Sequence, residues 1–174
     1  MFSIRKAHVN DCPLINELAA RTWSHTYQSI LSPEQIDYMF QMMYAPENLL
    51  KQMNELHHQF FLFYADEEPV GYLSIETVDA DRFNFQKIYS LPEWHGKGLG
   101  RYILEQGIAY LKSIHPGPFT VELYVNRYNK AVKFYQHMGL QIVGERDHAI
   151  GNGYFMNDYI MELPVANDPD GQTR

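Results

Sequence analysis

The sequence predicts a mixed α/β fold of the α+β kind, a mostly antiparallel central sheet flanked by helices. Three observations carry that prediction. Gln59-Phe-Phe-Leu-Phe-Tyr-Ala65 and Val70–Val78 are β-type runs separated only by Asp66-Glu67-Glu68-Pro69, the pattern of an antiparallel hairpin. Phe83–Leu91 is a further strand-like run that meets three alternate glycines and then an amphipathic helical stretch. Near the end, Leu140–His148 and Tyr154–Leu163 alternate and are joined by Gly151-Asn152-Gly153, a strong hairpin turn.

The elements follow in order. Phe2–Ala7 alternates and reads as a first strand. Asn10 is a candidate N-cap for a helix with Pro13 in its first turn and Leu14, Ile15, Leu18 and Ala19 on one face. Trp23–Leu31 reads as a looser region. Ser32-Pro33-Glu34-Gln35 opens a second helix, and Ala45-Pro46-Glu47 opens a third through about Leu56. The aromatics Trp23, Tyr27, Tyr38, Phe40 and Tyr44 either pack these helices on the sheet or line a cleft. Gln59–Ala65 is too continuously apolar to be half exposed and belongs inside the sheet. After the glycines, Leu99, Ile103, Leu104, Ile108 and Leu111 give the next helix a packing stripe, with Gly107 allowing close approach. Phe119–Val125 is a strand. A short helix from about Asn129 ends at Gly139, a left-handed stop. Residues 1–163 therefore read as one domain, and the polar 164–174 as a frayed tail.

Composition narrows the function. The chain has 174 residues, 45% of them hydrophobic, enough for one domain with a real core. A net charge of −7 argues against a nucleic-acid partner and is compatible with a cationic small molecule. One cysteine, Cys12, excludes an internal disulfide. It sits in a first helical turn, where packing is the expected role. His57 and His58 are adjacent and no His-Glu-x-x-His pair exists, so no metal is expected. The longest strongly apolar run, Phe60–Ala65, is far short of a membrane span. A cytoplasmic protein without a membrane partner is the expectation.

Strand, glycine loop and helix start form a device for holding an anion, because backbone N–H groups and the positive end of the helix dipole converge there. A dinucleotide fingerprint fails, since Arg101 and Ile103 stand where its third glycine would be. A P-loop fails too, since Lys97 is followed by Gly98 rather than Ser or Thr. Leu91-Pro-Glu-Trp-His-Gly-Lys-Gly-Leu-Gly-Arg101 resembles the pyrophosphate-arm motif of the GNAT acetyltransferase superfamily, Gln/Arg-x-x-Gly-x-Gly/Ala. Val125-Asn-Arg-Tyr-Asn-Lys-Ala-Val-Lys-Phe-Tyr-Gln-His-Met-Gly-Leu140 is similar to that family's second motif, a short helix ending in Phe-Tyr and then Gly-Leu. Phe60–Tyr72 and Gly153–Glu162 further resemble the branch containing spermidine/spermine N-acetyltransferases.

The resemblance implies a GNAT-like sheet and acetyl-CoA as co-substrate. Its pyrophosphate would be held at His95, Gly96, Lys97, Gly98, Leu99, Gly100 and Arg101. Its pantetheine arm would pair with the strand around Ile88, Tyr89 and Ser90, where a backbone N–H polarises the thioester carbonyl. Asn126, Asn129 and Phe134 are further implied cofactor contacts. Tyr135, by its place in the Phe-Tyr pair, would protonate the departing thiolate; phenol and thiol pKa values lie within about two units. The acceptor would be a primary amine on a small, polyamine-like molecule. Aromatic residues 23–44 and the hairpin around Asn152–Asn157 would frame its cleft.

Three positions depart from the family pattern. His95 stands where Gln or Arg is usual. Tyr128 lies seven residues before Tyr135, where an Asn is common, and Asn129 lies six before. Asn84 and Gln86 stand on the strand where a catalytic carboxylate is often found, leaving Glu76, Glu122, a histidine or water as the base. A non-catalytic acyl-CoA-binding module and a protein N-terminal or lysine acetyltransferase are the alternative functions. Surface aromatics and an edge hairpin make a homodimer the expected assembly, if any.

Overall fold

The computed structural model describes residues 1–167. They form strands β1 (Phe2–Lys6), β2 (Gln59–Ala65), β3 (Glu68–Asp79), β4 (Arg82–Ser90), β5 (Phe119–Asn126), β6 (Gln141–Gly151) and β7 (Tyr154–Val165). The helices are α1 (Cys12–Tyr27), α2 (Pro33–Tyr44), α3 (Pro46–Asn54), α4 (Leu99–Ile114) and α5 (Ala131–His137). The strands make one sheet in the order β1-β2-β3-β4-β5-β7-β6. The β4–β5 ladder is parallel, and β1–β2, β2–β3, β5–β7 and β6–β7 are antiparallel. The expected mixed, mostly antiparallel sheet is therefore observed. The chain divides into two compact units, Met1–Glu76 with Lys87–Gln106, and Thr77–Gln86 with Gly107–Arg174.

In the first unit β2 lies between β1 and β3 with its middle residues buried, as its continuous apolar run requires. Ser32 caps α2, its hydroxyl accepting from Gln35 N–H at 3.2 Å, and Pro33 and Pro46 occupy the first turns of their helices. Two expectations are corrected here. The start of α1 is organised by Asp11 rather than Asn10: the Asp11 carboxylate accepts His8 N–H at 2.9 Å and two bonds from Arg5 at 2.8 and 2.9 Å. Asn10 lies inside the preceding 3-10 turn. The region from Trp23 is not loose as far as Tyr27, because Ile15, Leu18, Ala19, Thr22 and Trp23 continue one buried helical stripe that ends at Tyr27. Cys12 is buried, and burial raises its thiol pKa, so it packs rather than reacts.

In the second unit β5 is the inner strand, paired over its whole length with β7 from Phe119↔Val165 to Asn126↔Asp158. The β6–β7 hairpin turns at Asn152-Gly153, both in the left-handed region with φ of 54° and 78°. Gly139 (φ 98°) ends α5: its N–H donates to Gln136 O and Leu140 N–H to Tyr135 O, both at 3.0 Å. Strand β7 runs two residues past the expected end, through Val165, and Asn167 donates to His115 O at 2.6 Å. The expected frayed tail over 168–174 lies outside the described residues.

Candidate active site

In the first unit, β4 ends at Ser90, and Leu91 N–H donates to Val70 O at 2.8 Å. Pro92–Trp94 make a single 3-10 turn, and α4 starts at Leu99 after the turn His95–Gly98. Gly96 and Gly98 have φ of 75° and 84°, which explains glycine at both places. Tyr102 N–H closes the first helical bond onto Gly98 O at 3.1 Å. The amides of Leu99, Gly100 and Arg101 are therefore first-turn donors without an intrahelical acceptor. Leu99 is fully buried and anchors the helix start.

The loop's charged and ionisable side chains stay at the surface. Lys97 is exposed, its ammonium 5.2 Å from the Trp94 ring centre. Arg101 is exposed and 3.7 Å from Glu105. His95 is exposed, with Nε2 3.2 Å from Ser90 O and its ring 5.9 Å from that of His25. Open glycine backbone, a helix N-terminus and two loosely held cations suit a diphosphate, so the residues present fit the pyrophosphate of acetyl-CoA.

Ile88, Tyr89 and Ser90 are half-buried at the end of β4. The Tyr89 hydroxyl lies 3.0 Å from that of Tyr27, and its ring stacks near Tyr72 and Trp23, with centroids 5.6 and 5.9 Å away. Trp23 Nε1 donates to the Tyr44 hydroxyl at 3.0 Å, and the Tyr44 and Tyr72 hydroxyls are 2.8 Å apart. Burial raises the pKa of Tyr44, Tyr72 and Tyr89, so these phenols stay protonated. Of the aromatics in 23–44, Trp23, Tyr27 and Tyr44 are buried and serve packing, whereas Tyr38 and Phe40 are half-buried.

The second unit holds the other predicted residues. Asn126 Oδ1 accepts Tyr128 N–H and Asn129 Oδ1 accepts Ala131 N–H, each at 2.9 Å, so both side chains shape the turn that launches α5. Phe134 is half-buried and Tyr135 is 7% exposed, their ring centres 5.4 Å apart. Glu122 is not a solvated strand charge. It is buried and accepts from Arg82 Nη1 and Asn84 Nδ2 at 3.0 Å each, while Arg82 also pairs with Glu162. Both of its carboxylate oxygens are thus engaged in hydrogen bonds. Glu76, in the first unit, is 38% exposed at its side chain and 4.0 Å from His58 Nε2.

Sequence reasoning missed Lys87. It is buried, donates to Gln52 Oε1 at 2.6 Å, and lies 5.7 and 5.5 Å from the ring centres of Tyr44 and Phe60. Burial pulls its pKa down to about 8, Glu76 drawing it the other way. The available signal was its place between Phe85 and Tyr89 in a strand of period two. Among the described residues no group of three or more His, Cys, Asp or Glu side chains is placed to hold a metal. Among the described residues no helix is long and apolar enough to cross a membrane.

Comparison with known proteins bears on the family and the fold. A spermidine N(1)-acetyltransferase of Thermoplasma acidophilum is 27% identical over 144 residues, covering 80% of this chain and 88% of that protein. A crystal structure of a PaiA N-acetyltransferase from the same organism, in complex with coenzyme A, is 25% identical with a TM-score of 0.78. That match covers 95% of this chain and 99% of the other. A ribosomal-protein alanine N-acetyltransferase from Escherichia coli shares the fold, with a TM-score of 0.71 at 18% identity and full coverage of both chains. Residues 27–163 match the acetyltransferase (GNAT) domain, and the chain belongs to that family of acetyl-CoA-dependent N-acetyltransferases.

Proposed function

We propose that this protein transfers the acetyl group of acetyl-CoA to a primary amine of a small, polyamine-like molecule. The observation that carries the reading is the strand–glycine loop–helix device at Ile88–Arg101 in a chain matching the GNAT domain. The amides of Gly96–Arg101, with Lys97, Arg101 and His95, hold the pyrophosphate. Ile88, Tyr89 and Ser90 pair with the pantetheine arm, and a backbone N–H there polarises the thioester carbonyl. Asn126, Asn129 and Phe134 are further contacts. The neutral amine attacks the carbonyl carbon, the C–S bond breaks, and Tyr135 gives its proton to the departing thiolate, while the proton lost by the acylated nitrogen passes to water, from which the tyrosinate is reprotonated. The relative that acts on spermidine and the net charge of −7 support a cationic acceptor. A single buried Cys12 fits a reducing compartment such as the cytoplasm.

Free CoA release across a panel of polyamines, diamines and peptides tests this. Turnover of polyamines or diamines is expected. Acetyl-CoA binding without release across the panel would make the chain a non-catalytic module, and turnover of peptides alone would make it a protein acetyltransferase. Tyr135→Phe is expected to lower kcat about a hundredfold. An unchanged kcat across the pH range refutes the assignment of Tyr135.

A further inference from the structure

Gly71, in β3, has a φ outside the left-handed region, so its backbone conformation does not call for glycine. Space does. A Cβ there would sit 2.7 Å from Tyr89 O, 3.1 Å from Ile103 Cδ1 and 3.5 Å from Ser90 Cα. Backbone oxygen cannot yield as a flexible side chain does, so a methyl group must drive β3 and β4 apart or displace α4. Ile103 is fully buried on the helix that follows the glycine loop. Gly71 is thus the point where the end of β4 and the first turns of α4 are set against β3.

The strand end is fixed from two sides. Tyr89 C=O turns toward Gly71, and Leu91 N–H donates to Val70 O at 2.8 Å. Backbone groups alternate direction along a strand, so the Ile88 C=O and Ser90 N–H face away from β3. The Tyr89 ring is held by the Tyr27 hydroxyl at 3.0 Å and by Tyr72.

We infer that Gly71 is a positioning residue for the cofactor, its missing side chain setting the Tyr89–Ser90 backbone and the α4 start at the places coenzyme A requires. This rests on the acetyl-CoA reading above. Gly71 acts through Tyr89, Ser90 and Ile103 and contacts no substrate.

Calorimetry with coenzyme A on the full chain tests it, alongside urea unfolding. Gly71→Ala is expected to weaken binding at least about tenfold, with kcat lowered and the KM for the amine unchanged. Adding Ile103→Val to Gly71→Ala removes the Cδ1 contact and is expected to recover stability without recovering affinity, because Tyr89 O remains displaced. Where Gly71→Ala alone does not fold, the double variant carries the measurement. Leu49→Val, a core change in α3, serves as the destabilised control with wild-type affinity. Unaltered affinity in Gly71→Ala, equal weakening in the control, or affinity restored by Ile103→Val each overturns the proposal. Absence of binding by the wild type overturns the acetyl-CoA reading itself, and this inference with it.

Discussion

Lys87 places a cationic side chain where water hardly reaches it, and Gln52 offers a neutral oxygen rather than a counter-charge. The sign of the consequence follows from its pKa, about 8 in the folded chain against an ordinary value of 10.5. Below pH 8 both states carry the proton and the folded state bears the whole cost of a desolvated charge. Between pH 8 and 10.5 the folded state releases its proton while the unfolded chain keeps it, so stability rises with pH, by up to roughly 3 kcal/mol. Lys87→Met is therefore expected to raise the urea midpoint at pH 7 and to lose that advantage by about pH 10.5. A variant no more stable than wild type at pH 7 would contradict the burial argument. Glu122 was named from sequence, yet only the fold reveals that it spends its oxygens on Arg82 and Asn84.

At the level of the element, local chemistry was readable wherever one residue's own backbone demands decide the outcome. Ser32 and Pro33 start α2, Gly139 stops α5, and Asn152-Gly153 turns the last hairpin, each as expected. The start of α1 was not readable from helix signals, because a partner outside the helix, on the preceding strand, selects it. Arg5, on β1, grips the carboxylate of Asp11 with two bonds, and Arg5 is the largest cause holding that carboxyl down at about 2. A depressed carboxylate pKa stabilises the fold above the unfolded value near 3.9, and that contribution is lost as pH falls through 2. Arg5 is 42% exposed at its side chain, so screening reduces the pair's worth. Asp11→Asn is expected to cost about 1 kcal/mol at pH 7 and nothing measurable below pH 2, by thermal unfolding at both pH values. Equal losses at the two pH values would assign the effect to capping rather than charge.

For the whole molecule, a ligand that binds only the folded state stabilises it by mass action. Acetyl-CoA at a hundred times its Kd is expected to add about 2.7 kcal/mol and to raise the Tm progressively with concentration. Coenzyme A fragments lacking the pyrophosphate are expected to do so far less. A Tm indifferent to acetyl-CoA would exclude the glycine loop as a cofactor site. The class of sheet, the order of strands and helices, the glycine loop between strand and helix, and the family are legible in the sequence. These are encoded in period, turn residues and contiguous motifs, which need no knowledge of distant contacts. The packing around Gly71 and Lys87 is visible only once the chain is folded. Gly71 is unremarkable in a strand until Tyr89 O and Ile103 close on the space a methyl group would need. Lys87 looks like an ordinary strand lysine until Tyr44, Phe60 and Gln52 enclose it. Close approach and desolvation arise from residues far apart in sequence, which no local pattern reports.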